Sequence, residues 1–522
     1  MSCRRCGCDM NIANWLCDTA QRWPQRAALF EGARQVADYQ AFAARARARA
    51  LQLRHEHGIS PGDRVALLMK NSCGYLELLY AIWWCGAVAV PINSKLHALE
   101  AAWIAGNAGA WLIYTDDGQV FDGIALPLGC RELAAPGLGE LRQMAGVELV
   151  RPQPRADADL AWLFYTSGTT GRSKGVKLSH GNLVAMSLCY PLDVDTVDAD
   201  DAVVYAAPIS HGAGLYNFIH VRCGARHVVP ESRGFQAAEL FDLARAVGNV
   251  SLFAAPTMVK RMVEQARQQG YGGEGLKTIV YGGGPMYLAD LEQALDTFGP
   301  RLVQIYGQGE CPMTISALSR EVIADRSNPD WPRIAASVGR AQACVEVRVV
   351  DADGHPLPPG QTGEIAVRGA PVMQGYWDNP QATRAALVDG WLLTGDIGQL
   401  DEQGYLTLTD RSKDVIISGG SNIYPREVEE VLMQHPGVFE VCVVGEADPE
   451  WGESVVAFVV PRRPGCLQAQ ALNDWFLARM ASFKKPKKYQ FCTELPKNSY
   501  GKILKTRVRQ WLQDPKGALS SP

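Results

Sequence analysis

The sequence predicts an α/β protein: a large N-terminal domain of helix-covered β-sheets with a β-rich subdomain, then a smaller α+β C-terminal domain. Three observations predict it. Short β-like runs alternate with helical patterns through roughly the first four hundred residues. From about Ser337 the runs become β-rich, and from Asp414 the pattern changes again to a compact unit of about a hundred residues, the size of one small domain.

The elements follow in order. Met10 begins a helical pattern. "RVALLM" (Arg64–Met69) reads as a strand and "GYLELLYAIWW" after it as a helix. The longest apolar stretch, "LLYAIWWCGAVAVPI" (Leu78–Ile92), falls short of the ~20 residues a membrane span needs. It reads as a buried helix ending near Gly86, then a buried strand. "WLIYTD", "LAWLFYT", "AVVYAAP", "VSLFAAP", "KTIVYGG" and "RLVQIYG" read as further strands, with helices such as "GFQAAELFDLARAVG" and "YLADLEQALDTFG" between them. This alternation predicts parallel sheets covered by helices, with ligands at the strand ends, where Gly-rich clusters stand. "VEVRVVDADG", "TGEIAVRG" and "GYLTLTD" are the later β-rich runs, separated by turn signals. "PREVEEVLMQHPG" is a helix opened by Pro425, followed by strands "VFEVCVVG" and "SVVAFVVP".

Bulk properties exclude several classes. A net charge of −4 over 522 residues argues against a nucleic-acid partner. Fourteen scattered cysteines read as reduced thiols of a cytoplasmic protein, and no secretory start precedes them. Cys3, Cys6 and Cys8 are spaced as C-x2-C-x-C, but no fourth ligand with fitting spacing stands nearby, so residues 1–9 read as a disordered tail.

The densest local signal is "YTSGTTGRSKG" (Tyr165–Gly175), with five serine and threonine hydroxyls, three glycines and Lys174. Gly171–Gly175 fits G-x-S-x-G, but a nucleophile elbow needs a strand straight into the first glycine and a helix straight after the second. Here the strand ends six residues early and "VKLSH" looks extended. A phosphate cradle fits better: glycines let backbone N–H groups approach an anion, hydroxyls add donors, and Lys174 adds charge. Ser173 before Lys174 separates it from the G-x-x-x-x-G-K-[ST] loop. A plain surface turn is the alternative on local features.

This stretch resembles the signature loop of the adenylate-forming enzymes, a family that includes acyl-CoA synthetases, adenylation domains and firefly luciferase. The resemblance continues in order from about Asn11 to Gln510: "PISHGAG" (Pro208–Gly214), "YGGGPM" (Tyr281–Met286), "IYGQGE" (Ile305–Glu310), "GWLLTGDIG" (Gly390–Gly398), "DRSKDVIISGGSNIYPREVE" (Asp410–Glu429) and "LPKNSYGKILK" (Leu495–Lys505). It implies an ATP-dependent carboxylate–CoA ligase of the acyl-CoA synthetase and aryl-CoA ligase branch, working through an acyl-AMP and releasing AMP and pyrophosphate. It also implies a large domain over 10–410, a hinge over 411–413, a mobile lid over 414–512 and a tail over 513–522.

The roles below are those the resemblance implies. Thr166, Ser167, Gly168, Thr169, Thr170, Gly171 and Lys174 would cradle the β- and γ-phosphates. Tyr306 would stack on adenine, with Gly283, Gly284 and Pro285 on the other side. Asp396 would accept both ribose hydroxyls, and Arg411 would reach ribose or phosphate. Glu310 would hold Mg²⁺, a hard cation that prefers oxygen. Threonine usually precedes this glutamate, and this chain has Gly309 there, which predicts an altered metal geometry. Lys502 would bridge carboxylate and α-phosphate. Lys413 would be the hinge, and Gly419 and Gly420 would line a tunnel for the thiol. His211 would guard the carboxylate site, among pocket walls Ala213, Asn217, Gly282, Gly307, Pro312 and Met313. Trp451 in "DPEWGES" and Phe483, Lys485 and Lys487 in "FKKPKK" would bind coenzyme A.

For each residue a structural role is the alternative: core tyrosine, solvated glutamate, turn aspartate, surface lysine, charged loop. The acid is expected to be aromatic, including hydroxycinnamic, or a medium-to-long fatty acid. Transfer to a separate carrier protein is the alternative for the thiol, since the chain runs only 17 residues past the lysine motif. A relative that keeps the nucleotide site and has lost the chemistry is the other alternative. Monomer and homodimer are both compatible with the sequence.

Overall fold

The computed structural model describes residues 9–135, 151–166, 173–284, 286–411, 414–418, 421–449, 451–497 and 503–513, without the side chains of 410, 411, 421, 422 and 513. Four sheets organise these residues: nine, six, five and five strands.

The nine-stranded sheet has a parallel centre, Ala202–Val204, Val250–Ala254, Leu276–Tyr281 and Leu302–Gln308. The six-stranded sheet is built likewise on Arg64–Met69, Val88–Asn93 and Ala110–Thr115. These strands are near-continuous apolar runs because helices cover both sheet faces. The expectation of parallel sheets needs a correction at the edges. Leu302–Gln308 turns tightly into antiparallel Cys311–Leu318, and Leu160–Thr166 pairs antiparallel with Lys174–Ser179. Both connections are too short for a crossover, which takes a dozen residues or more, so the chain can only fold back. A second correction concerns the first helix, which spans Asn14–Arg22 and does not start at Met10.

The helix Cys73–Trp84 opens with Ser72, whose hydroxyl accepts from the Tyr75 amide, and is buried all round. Gly86, at φ +81°, lets the chain turn into Val88–Asn93 as the apolar run implied. The later β-rich runs form an antiparallel five-stranded sheet.

In the C-terminal sheet, period-two alternation separates two cores. Val441, Val443, Val455, Ala457 and Val459 pack on Val428, Leu432, Leu472 and Phe476. Cys442, Val444, Val456, Phe458 and Val460 face the other way, onto Val508. This region touches the larger one through the Tyr287 hydroxyl, which donates to Glu429 Oε2 at 3.2 Å, and the Leu288 amide, which donates to Glu430 Oε1 at 3.1 Å.

Candidate active site

The strand Leu276–Tyr281 ends against its neighbour with no room for a side chain at Gly282. A Cβ on Gly282 would lie 2.5 Å from the Ile305 carbonyl oxygen, and Gly283 sits at φ +79°. The next strand delivers Tyr306, whose hydroxyl donates to Asp396 Oδ2 at 2.7 Å. The Gln308 amide donates to the same oxygen and to the Thr394 carbonyl, 2.9 Å away. Asp396 lies in the strand Trp391–Leu400, opposite Arg411 in register, and is buried. A carboxylate has about four acceptor positions, so it can take several donors at once.

Thr166 stands opposite Lys174 across the antiparallel pair, so the glycine-rich loop connects these two residues. A strand, not a helix, follows Gly175, which excludes the nucleophile-elbow geometry. Lys174 Nζ lies 5.0 Å from the centroid of the Tyr376 ring, and the Tyr376 hydroxyl donates to Glu310 Oε1 at 2.8 Å. Burial and the adjacent Glu310 carboxylate hold this phenol well above its ordinary pKa, so it stays a donor. Glu310 sits in the hairpin turn after Gln308, anchored by its carbonyl to the Met373 amide at 2.8 Å.

Gly309 has a steric cause. A Cβ there would lie 2.5 Å from Thr166 Cγ2 and 3.0 Å from Phe164 Cδ1. The Phe164 ring fills that volume and carries the His211 ring at 4.6 Å, tilted by 37°. His211 follows a run pinned by Asn71, whose amide donates to the Tyr205 and Ala207 carbonyls at 2.8 and 2.9 Å and accepts from the Ile209 amide at 2.8 Å. Beyond His211, a Cβ on Gly214 would lie 1.8 Å from the Ile209 carbonyl oxygen. Met313 approaches from the far side: its Sδ is 3.1 Å from a Cβ position on Gly212, and its amide nitrogen is 2.6 Å from one on Gly307. Met313 itself holds φ +63°, a strained value for a side-chain-bearing residue and one that clusters at functional sites. Ala213 and Pro312 are buried beside it. Asn217 is fully buried, with its amide spent on the Gly214 carbonyl and on the Tyr80 hydroxyl, which donates to it at 2.8 Å.

Trp451 and Lys487 meet in the C-terminal region: Lys487 Nζ is 4.9 Å from the Trp451 ring centroid and 3.5 Å from Asp448. Phe483 is exposed nearby in sequence, beside half-buried Lys485. Ser167, Gly168, Thr169, Thr170, Gly171, Pro285, Lys413, Gly419, Gly420 and Lys502, the side chain of Arg411, and Cys3, Cys6 and Cys8 lie outside the described residues.

The structure therefore links Thr166, Lys174, Glu310 and His211 through Phe164 and Tyr376, and Tyr306 with Asp396 through a direct hydrogen bond. Sequence reasoning missed Tyr376, Gln308 and Asn71. Tyr376 and Asn71 are single polar residues in stretches without a motif, Gln308 lies inside the Ile305–Glu310 motif without a role of its own there, and the partners of all three come from far along the chain.

The AMP-binding enzyme model matches residues 16–377, and the model for the AMP-binding enzyme C-terminal domain matches residues 427–502. Feruloyl-CoA synthase from Amycolatopsis sp is 35% identical over 459 residues, covering 87% of this chain and 89% of the relative. A fatty acid–[acyl-carrier-protein] ligase from Streptomyces coeruleorubidus is also 35% identical, over 464 residues and 87% of each chain. Among solved structures, o-succinylbenzoate CoA synthetase from Bacillus subtilis with its acyl-adenylate intermediate superposes with a TM-score of 0.82 at 31% identity, covering 96% of this chain and 98% of that one. No helix of the described residues is long and apolar enough to cross a membrane. The chain belongs to the AMP-binding enzyme family, and within it is an AMP-forming acid–thiol ligase.

Proposed function

We propose that the protein joins an aromatic carboxylic acid to coenzyme A with Mg²⁺-ATP. The observation that carries this reading is the shared edge between an aromatic wall and the charged cluster. Phe164 touches the Gly309 position, next to Glu310, and carries the His211 ring. An aryl acid on that wall would have its carboxylate beside the phosphates. The names of the feruloyl and succinylbenzoate relatives support an aromatic acid.

A carboxylate is a poor electrophile because its charge is delocalised. Transfer to the α-phosphate makes AMP a leaving group that a thiol can displace. Binding and orientation supply much of the acceleration for such a step. In this reading the loop from Thr166 to Lys174 cradles the β- and γ-phosphates, and Tyr306 with Gly283, Gly284 and Pro285 sandwiches adenine. Asp396, fixed by Tyr306 and Gln308, takes the ribose hydroxyls, with Arg411 alongside. Glu310, held by Tyr376, offers the hard oxygen that Mg²⁺ requires, and the ion supplies charge neutralisation on the phosphates. Lys502 stabilises charge at the carboxylate and α-phosphate. The lid, over residues 414–512, turns about Lys413, and Gly419, Gly420, Trp451, Phe483, Lys485 and Lys487 then serve coenzyme A. The pairing of Lys487 with Trp451 suits a phosphate-bearing ligand with an adenine ring. Cysteines unpaired among the described residues fit a reducing compartment such as the cytoplasm.

A second reading is favoured by one observation. The ligase for a fatty acid and a carrier protein is as identical to this chain as feruloyl-CoA synthase is. Competition separates the readings: aryl acids and medium-to-long fatty acids are mixed with Mg²⁺-ATP and either CoA or a phosphopantetheinylated carrier, and products are weighed by mass spectrometry. Aryl-CoA is expected to dominate. Fatty acyl-CoA would overturn the aromatic assignment, and acyl-carrier without acyl-CoA would overturn the thiol.

A further inference from the structure

The helix Ala98–Ala108 carries one asparagine, Asn107, in its last turn. Asparagine is a poor helix former, because its amide competes for backbone hydrogen bonds, so its place there calls for a partner. Asn107 has two that lie far along the chain. Its side-chain Oδ1 accepts from the Tyr165 hydroxyl at 2.6 Å, and its main-chain carbonyl accepts from the Trp377 indole at 2.9 Å. The helix end it stands on is fixed in turn by Arg64. That guanidinium donates to the Ala108 and Gly109 carbonyls at 2.9 and 2.8 Å and lies 5.6 Å from the Trp377 ring centroid.

Both partners of Asn107 adjoin the charged residues of the site. Tyr165 precedes Thr166 and stands opposite Gly175, the neighbour of Lys174. A Cβ on Gly175 would lie 3.0 Å from Tyr165 Cζ and 3.3 Å from Trp377 Cβ, so these three residues are closely packed. The Trp377 amide donates to the Gly175 carbonyl at 2.7 Å. Trp377 follows Tyr376, whose hydroxyl holds Glu310 and whose ring lies by Lys174 Nζ. Asn107 therefore grips at once the strand end that carries Thr166 and the segment that carries Tyr376. Burial holds the Tyr165 phenol well above its ordinary pKa, so it stays a donor.

We propose that Asn107 is a positioning residue for acyl-AMP formation: by holding the Tyr165 hydroxyl and the Trp377 indole, it sets Thr166 and Lys174 against Glu310 for the β- and γ-phosphates of ATP. This rests on the reading of Thr166 and Lys174 as part of the phosphate cradle. The two phosphates leave as pyrophosphate when the carboxylate oxygen bonds to the α-phosphorus, before coenzyme A reacts. Asn107 thus acts on acyl-AMP formation and its reversal, and is silent in thioester formation.

Asn107→Leu removes the acceptor at similar volume. Tyr165→Phe removes the donor by deleting one oxygen, and tests the same bond should Asn107→Leu fail to fold. Three rates are measured for each, for the double variant and for Lys174→Ala, with the acid preferred in the competition above. They are pyrophosphate release from ATP, ATP formation from acyl-AMP and pyrophosphate, and thioester formation from preformed acyl-AMP and CoA. Each single variant is expected to raise KM for ATP and for pyrophosphate about fivefold, with the thioester rate as in wild type. The double variant is expected to do no more than either single one, since both break one bond. Lys174→Ala is expected to raise the same two constants. Unchanged constants in Tyr165→Phe, equal loss in both half-reactions, or multiplied effects in the double variant would overturn the proposal, and the Lys174→Ala result would leave the cradle reading standing. Unchanged constants in Lys174→Ala would overturn the cradle reading and the proposal with it.

Discussion

The Tyr306 hydroxyl and Asp396 Oδ2 are 2.7 Å apart, joining a strand of the nine-stranded sheet to one of the five-stranded sheet. Removing that hydroxyl loses a hydrogen bond to a charged group, worth about 1.5–3 kcal/mol. Tyr306→Phe is therefore expected to raise KM for ATP by roughly tenfold or more, with a smaller change in kcat. Asp396→Ala removes the acceptor itself and is expected to be far more severe. Initial rates with ATP as the varied substrate decide both.

Gly309 and Thr166 are mutually exclusive in size. A Cβ at 309 would lie 2.5 Å from Thr166 Cγ2, so Gly309→Ala forces a shift costing about 1–3 kcal/mol. Thr166→Ser removes the offending methyl and keeps the hydroxyl. In the Gly309→Ala background it is expected to restore most of the lost stability and activity. A double-mutant cycle by urea denaturation should give a coupling of roughly 1 kcal/mol or more, whereas additive effects would refute the contact.

Asn71 makes three hydrogen bonds to the run that ends at His211. Asn71→Ala leaves two carbonyls and one amide without that partner. It is expected to cost about 2–4 kcal/mol in stability and to raise KM for the acid more than KM for ATP. Equal effects on the two substrates would argue against a positioning role.

Three buried histidines make stability depend on pH. Burial lowers His180 to about 3 and His220 to about 4, and His227 lies well below its usual value. His180 Nδ1 accepts from the Ile12 amide at 3.1 Å, which a protonated ring cannot do. The unfolded chain takes up protons first, near pH 6.5, so stability is intact above that value and is lost as pH falls towards 4. The slope reaches about 1.4 kcal/mol per pH unit for each histidine. The urea midpoint should drop across this window, and His220→Gln should flatten the drop.

Much of this arrangement was written locally. Strands such as Leu276–Tyr281 and Leu302–Gln308 are short apolar runs beside glycines, of which Gly282 and Gly307 stand where a Cβ would meet backbone and Gly283 where φ is positive. Local sequence could not give partners. Tyr376 reaches Glu310 across 66 residues, and Gln308 reaches Asp396 across 88. Nor could it show that the Asn217 amide is already engaged, or that Phe164 occupies the space a side chain at 309 would need. Those facts depend on three-dimensional packing of separate sheets.

In the proposed reaction an acid passes to coenzyme A through an enzyme-held acyl-AMP. The direct measurement is a two-stage reaction: enzyme, Mg²⁺-ATP and aryl acid without CoA, then addition of CoA, with every species followed by mass spectrometry. The expected result is a pyrophosphate burst stoichiometric with enzyme and a trapped acyl-AMP, which CoA then converts to acyl-CoA and AMP. Lys502→Ala is expected to fail at the first stage yet still convert preformed acyl-AMP. ADP and phosphate as products, or an acyl-AMP that CoA leaves untouched, would contradict the proposed reaction.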